Sequence, residues 1–165
     1  MPTSKKEIKK GFTLVEMLLY IVIISTTLTG VFVFLNALIR TRVKMQTAIE
    51  VEQQGIFIAE TLSQDIRNAI SAENPSPNAL SLAEADGTTI AISLEDGKLM
   101  RSVSAGTSAL HSARLSMSDL SISNQATAGP PSIQISFILS NVNPSHRPEY
   151  DYARTFTASA TLRNK

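Results

Sequence analysis

The sequence predicts an α+β fold in which one long N-terminal helix packs on an antiparallel β-sheet head. Three observations support this prediction. No charged side chain occurs from Met17 to Ile39, so this stretch is apolar enough to cross a membrane. A helical stripe of apolar residues follows, and no proline occurs between Phe12 and Asn74. The C-terminal half then alternates apolar and polar residues, which is the period of a half-buried strand.

Residues 12–39 are predicted to form the transmembrane half of the helix, since a spanning helix needs about 20 apolar residues. Glu16 lies near the start of this half, four positions after Phe12. An acid at mid-membrane costs roughly 2.5–3.5 kcal/mol on insertion scales, which indicates that a cationic partner neutralises it. If Phe12 were the first residue of the chain, its amine would share a helical face with Glu16. In a stack of staggered helices, each amine could instead meet the acid of the next chain.

Residues 40–74 are predicted to continue the helix as an amphipathic half. Apolar residues recur there at spacings of three and four, which places them on one helical face; they are Val51, Gly55, Ile58, Leu62, Ile66 and Ala69. Pro75 and Pro77 are predicted to end the helix, because proline lacks an N–H donor and biases the preceding residue away from helical conformation. Residues 75–165 would then form the head domain.

Six strands are predicted in the head, at residues 80–83, 88–94, 98–103, 119–123, 132–139 and 153–162. Two turns are predicted at Asp86-Gly87 and Asp96-Gly97, because glycine adopts positive φ freely. We expect the apolar face of the resulting antiparallel sheet to lie on the helical stripe.

A short motif precedes the apolar run. Gly11-Phe12-Thr13-Leu14-Val15-Glu16 follows a segment that contains Lys5, Lys6, Lys9 and Lys10. This arrangement resembles the N-terminus of a type IV prepilin, or of the related pseudopilins of type II secretion and DNA-uptake systems. The resemblance extends over about the first sixty residues when the helix is included, and beyond them it is one of architecture.

The resemblance implies a processing pathway and a set of partners. In that family a membrane-bound prepilin peptidase cuts after the glycine, which corresponds to Gly11 and makes residues 1–11 a cleaved leader. The same enzyme methylates the new N-terminal amine, which would be that of Phe12. The glutamate at the position of Glu16 pairs with the N-terminal amine of a neighbouring subunit during filament assembly.

The implied protein is a structural subunit rather than an enzyme. Its partners would be the prepilin peptidase, other pilin or pseudopilin subunits, the membrane and an inner-membrane assembly platform. It would cross the inner membrane once, with a cytoplasmic leader and an extracytoplasmic head, and then enter a pilus or pseudopilus filament. The pilin-like fold of the family is a long helix on an antiparallel sheet, as predicted above.

The resemblance is greatest to the J-type minor pseudopilins. The chain has no cysteine, whereas major pilins of several lineages carry a C-terminal disulfide loop; this difference favours a pseudopilin or minor pilin, or a host that avoids exported disulfides. The run Gln64-Asp65-Ile66-Arg67-Asn68-Ala69 is similar to that group, and the presence of Glu16 argues against the tip-most subunit type.

Other classes of protein fit parts of the sequence. An uncleaved, membrane-anchored extracytoplasmic binding module would account for the helix, but it leaves Gly11 and Glu16 unexplained. An ordinary secretory signal has an apolar core of only about 7–15 residues. An exported enzyme would need clustered titratable groups, and the sequence contains no Gly-x-Ser-x-Gly element.

No metal or cofactor site is predicted. A zinc site needs three or four converging ligands, and the chain offers only His111 and His146 without any cysteine, so both histidines are expected to be solvated. Glu60, Asp65 and Arg67 are expected to form a solvated helix face or a subunit contact. Of the 15 basic and 14 acidic side chains, 11 and 13 remain outside the leader. This balance does not predict nucleic-acid binding, which needs a basic surface.

Overall fold

The computed structural model describes residues 11–76, 78–124 and 131–163, and the side chains of residues 74–76 are not described. The predicted leader, apart from Gly11, therefore lies outside the described residues, as does Pro77. By internal contacts the chain divides into two compact units, one ending at Thr41 and the other beginning at Arg42. The first unit contains the start of the long helix, and the second contains its remainder and all the strands.

One helix and eight strands make up the described chain. The helix α1 spans Leu14–Asn68. The strands are β1 (Ala69–Ser76), β2 (Ala79–Glu84), β3 (Thr89–Glu95), β4 (Lys98–Val103), β5 (Gly106–Ala109), β6 (Leu115–Asn124), β7 (Ser132–Asn141) and β8 (Ala153–Thr161), with a 3-10 turn at Pro148–Tyr150 before β8. The predicted α+β class, with a long helix packed on antiparallel strands, is confirmed.

The strands form two sheets rather than the single sheet predicted. β1 to β5 pair in sequence order, and β6, β7 and β8 form a separate sheet, with antiparallel pairing throughout. All six predicted strands are present, whereas β1 and β5 were not predicted. The β3–β4 hairpin has the expected two-residue loop, in which Asp96 and Gly97 both have positive φ, 49° and 73°.

The helical stripe forms one wall of the core. Val51, Ile58, Leu62 and Ile66 are completely buried. They belong to one cluster with apolar side chains from both sheets, namely Leu80, Leu82, Ile90, Ile92, Leu99, Leu115, Met117, Leu120, Ile133, Ile135, Phe137, Leu139, Phe156, Ala160 and Leu162. The predicted placement of the stripe against strands is therefore confirmed. Burial of one such side chain stabilises the fold by about 1.5–3 kcal/mol.

The helix ends earlier than predicted. It stops at Asn68, and residues 69–74, predicted as helix, belong to β1. Pairing with β2, from Ala69 opposite Glu84 to Ser76 opposite Ala79, gives this segment its strand conformation. The carbonyl of Ala69 also accepts a hydrogen bond from the Arg163 N–H at 3.0 Å. Neither the pairing with β2 nor the contact with the distant Arg163 leaves a sign in local helical spacing.

Two polar side chains that were expected to be solvated are buried. Asp65 is 6 % exposed and accepts two hydrogen bonds from Arg101, from Nε at 2.8 Å and Nη2 at 2.9 Å. This contact raises the pKa of the Arg101 guanidinium. His111 is 8 % exposed; its Nε2 accepts from the Leu99 N–H at 3.1 Å, and its Nδ1 lies 3.0 Å from the Ser112 carbonyl. The expected solvation of Asp65 and His111 is therefore wrong.

Gly55 permits the closest approach between helix and sheet. A Cβ atom built at this position would lie 2.1–2.5 Å from three ring atoms of Phe156. The Phe156 ring cannot retreat freely, because it stacks on Phe137 with ring centroids 5.6 Å apart. Both rings are buried. Glycine at this position is therefore required by packing.

Gly55→Ala should destabilise the second unit, although alanine is intrinsically the better helix former by roughly 0.5–1 kcal/mol. Overpacking against Phe156 is expected to cost about 1–3 kcal/mol. Urea denaturation of a fragment beginning at Arg42 would measure the loss. Gln53→Ala, on the exposed face of the helix, is the matched control, and Phe156→Leu should recover part of the loss. A stabilised Gly55→Ala fragment would contradict the packing argument.

Candidate processing and assembly site

The site begins with the first turn of α1. The Thr13 hydroxyl accepts a hydrogen bond from the Glu16 N–H at 3.2 Å, and the Thr13 carbonyl accepts one from the Met17 N–H at 3.2 Å. Thr13 is therefore the N-cap, and the Thr-x-x-Glu spacing is that of a capping box. The sequence contained this signal, but its role at the helix start was not recognised. The cap fixes where the helix begins, at Leu14, two residues after Phe12.

Gly11 and Phe12 lie outside the helix and are exposed. A Cβ atom at Gly11 would meet nothing within 4 Å, and its φ is outside the left-handed range that favours glycine. The fold therefore does not require glycine at this position. Phe12 is 71 % exposed and makes an edge contact with the Tyr20 ring, with centroids 6.3 Å apart.

Glu16 and Tyr20 lie on one helical face, because they are four residues apart in α1. The Tyr20 hydroxyl donates to Glu16 Oε1 at 3.5 Å, which is a long contact. Among the described residues, Glu16 forms no ion pair. Its carboxylate thus retains most of its capacity to accept hydrogen bonds from a cation. Tyr20 was not identified as part of this site from the sequence.

The apolar run behind the site is fully exposed. An 18-residue window of α1 reaches a mean hydropathy of 2.3, and none of that window is buried. The helix is therefore long and apolar enough to cross a membrane. Phe32, Val33 and Phe34, for example, are each more than 60 % exposed.

The polar side chains within this run are satisfied by their own helix. The hydroxyls of Thr26, Thr27 and Thr29 donate to backbone carbonyls three or four residues earlier at 2.8–3.0 Å. The Asn36 amide donates to the Phe32 carbonyl at 2.9 Å. Such internal bonds allow polar side chains to enter hydrocarbon, where no water replaces a missing partner. The Ser25 hydroxyl has no hydrogen bond within the described chain, and Glu16, with its one long contact, is the charged exception.

The second unit contains a polar cluster on its surface. Arg154 and Tyr152 both donate to Oε1 of Glu52, the tyrosine at 2.8 Å. These hydrogen bonds, first that of Arg154 and then that of Tyr152, lower the pKa of the Glu52 carboxyl. The same contacts raise the pKa values of Tyr152 and Arg154. The cluster joins α1 to β8 and the residue before it.

Within the described ranges, no group of three histidine, aspartate, glutamate or cysteine side chains is placed to hold a metal ion. His111 is occupied by backbone partners, and Asp65 by Arg101. Neither side chain is available to bind a ligand in this arrangement.

Comparison with known families gives one match. Residues 8–32 match the family model described as the prokaryotic N-terminal methylation motif. The matched segment contains Gly11, Phe12 and Glu16 together with most of the exposed apolar run. Neither the curated proteins nor the solved structures gave a match. The motif supports a relation to the type IV pilin and pseudopilin family, whose members are structural, and it implies a prepilin peptidase and other pilin subunits as partners.

The Glu52 cluster predicts acid sensitivity of the second unit. Because the pKa of Glu52 is lower in the folded state than its ordinary value of 4.5, its stabilising effect is complete above that value and is lost as the pH falls through the folded-state pKa. Urea midpoints of a fragment beginning at Arg42, recorded from neutral pH downwards, would show this. Glu52→Gln should lower the midpoint at neutral pH and reduce the decrease below pH 4.5. Glu60→Gln, an exposed change on the same helix, is the control, and an identical effect of both changes would contradict the assignment.

Proposed function

We propose that this chain is a structural subunit of a type IV pilus-like, type II secretion or competence filament. The observation that carries the proposal is the match of residues 8–32 to the N-terminal methylation motif. In this proposal a prepilin peptidase cuts between Gly11 and Phe12 and methylates the Phe12 amine. The mature chain then begins two residues before the helix, so the amine lies one turn from Glu16.

The exposed apolar run supports the proposal that the subunit resides in the membrane before it enters a filament. Its surface needs lipid before assembly or neighbouring apolar helices after assembly, since water would hydrate it unfavourably. In the proposed filament, the Phe12 amine of one subunit neutralises Glu16 of the next. That pairing offsets the cost of placing each charge in a low-dielectric environment.

The finer proposal is a minor pilin or pseudopilin of the J type. It is motivated by the lack of cysteine and by the presence of Glu16. The subunit would lie in the inner membrane with its head on the extracytoplasmic side, in contact with an assembly platform. Cross-linking in host membranes to an inner-membrane assembly platform protein would test that partner.

Mass spectrometry of the mature N-terminus tests the proposal directly. A chain purified from its host should begin with N-methylated Phe12. A chain that keeps Met1 or Pro2, with no other subunit bound, would instead support an uncleaved anchor that carries an extracytoplasmic binding module. The two classes are therefore separated by one measurement.

Gly11→Val should prevent cleavage. The fold leaves open space at this position, so the variant should insert and fold normally, and any effect reports on the peptidase. A branched side chain is not expected to fit a peptidase pocket that accepts glycine. Electrophoretic mobility and N-terminal mass would show retention of the leader. Gly30→Val, where space is also open, should be processed normally; normal processing of Gly11→Val would contradict the cleavage site.

Glu16→Ala should leave cleavage intact and reduce incorporation into filaments. Loss of a charge pair in a low-dielectric environment is worth several kcal/mol, so at least about a tenfold decrease is expected. The fraction of the chain in sheared or sedimented filaments measures it. Glu60→Ala removes an exposed acid from the second unit and should assemble as the wild type does. Wild-type incorporation of Glu16→Ala would argue against the pairing.

A further inference from the structure

Four strands lie at sheet edges in the part of the chain that the structure describes. They are β1 and β5 in the larger sheet and β6 and β8 in the smaller one. An edge strand presents a row of backbone N–H and C=O groups that can pair with another chain. Natural proteins usually block such edges with bulges, proline, charged residues or other covering groups.

Two of the four edges are blocked in this way. The register of β1 shifts twice along its pairing with β2, and the strand includes Pro75, which lacks an N–H. The register of β6 shifts between Ser118 and Ser121. The Met117 N–H of β6 is already used, since it donates to the Gly97 carbonyl at 2.8 Å.

The edge of β8 is not blocked. Its nine residues pair with β7 in continuous register, from Ser140 opposite Ala153 to Ser132 opposite Thr161. The strand contains no lysine or proline, and it is uncharged after Arg154. Its exposed side chains beyond that point are small hydroxyl residues, namely Thr155, Thr157, Ser159 and Thr161.

A groove runs along this edge within the second unit. It has a volume of about 790 Å³ and is lined by four consecutive β8 residues, 156–159. Successive strand residues point to opposite faces, so four in a row can line one groove only if the strand edge borders it. The opposite wall is one face of α1, at spacings of three and four residues, and includes Ala59, Glu60, Ser63 and Arg67.

The remaining edge, β5, is short but carries no bulge, proline or charged side chain. Its four residues, Gly106–Ala109, are all exposed, and they pair with β4 in continuous register. Their side chains are small and uncharged, so they would fit between β8 and the helix. The length of β5 also equals that of the β8 segment that lines the groove.

We propose that the groove accepts β5 of a second copy of this chain, which adds as a strand to the open edge of β8. The contact joins two different surfaces, so it is heterologous, and each bound copy still offers a free β5 or a free β8. Contacts of this kind build open helical assemblies unless the rotation closes a ring. The inference deepens the proposed function and rests on it for the presence of neighbouring copies.

Disulfide cross-linking in the full chain tests this contact, because the sequence has no cysteine of its own. One tagged copy carries Thr157→Cys, and a second copy with another tag carries Thr107→Cys or Ser108→Cys. These two residues of β5 face opposite sides, so only one of them can share a side with Thr157. Facing Cβ atoms of paired strands lie about 4.5–5.5 Å apart, which is near disulfide range.

Mild oxidation of host membranes should yield a reducible dimer that carries both tags, with one of the two β5 variants and not with the other. Thr157→Cys paired with Thr89→Cys, an exposed position inside the larger sheet, should give none. Adding Ser159→Lys to the Thr157→Cys copy should lower the yield by about fivefold or more, because a charge on an edge opposes pairing.

Other outcomes overturn the contact. Equal cross-linking of both β5 variants would indicate random collision, and cross-linking of Thr157→Cys copies to each other would indicate a symmetric β8 contact. Absence of any cross-link in filaments whose subunits begin with methylated Phe12 would contradict the strand contact. It would not contradict the proposed function. The expected cross-link in a chain that keeps its leader would preserve the contact and remove the proposed function.

Discussion

The protein depends first on an apolar helical surface that the described chain leaves uncovered. The side chains from Leu14 to Ile39 are exposed almost throughout, and threonine and asparagine within the run bond to their own helix. Such a surface is stable only in lipid or against other apolar helices. Glu16 departs from this pattern, because its carboxylate has one long contact and no described cation. The proposed pairing with the Phe12 amine of a neighbouring chain would supply the cation that this carboxylate lacks.

The second half of α1 differs from the first, because its apolar face is covered by strands. Val51, Ile58 and Leu62 are completely buried there, and Gly55 brings the helix onto the ring of Phe156. The same helix therefore changes from an outward-facing apolar surface to an inward-facing apolar stripe. This change explains why residues 11–41 bury no apolar side chain while the second unit has a hydrophobic core.

Polar groups in the second unit connect the helix to specific strands. The Asp65–Arg101 pair joins α1 to β4, and Glu52 joins it to Arg154 of β8. A buried ion pair adds less stability than its geometry suggests, since desolvation offsets much of the attraction. We interpret the Asp65–Arg101 pair as fixing the register between helix and sheet. These contacts do not involve β5 or the end of β8 after Arg154. Those two strand edges are the surfaces that we propose for contact between copies.

Local spacing and composition in the sequence were enough to predict the long helix with its exposed and buried apolar stretches, six strands, the hairpin turns and the motif that contains Gly11, Phe12 and Glu16. The Thr13 cap is also a local sequence pattern, although the helix start was not predicted from it. Three features could not be predicted from the sequence and were seen only in the folded chain. The helix ends at Asn68, the strands divide into two sheets, and Asp65 and His111 are buried. Each of these depends on tertiary or strand partners, such as β2 for β1 and the distant Arg101 for Asp65. Local periodicity carries no information about such pairings, so they follow only from the folded arrangement.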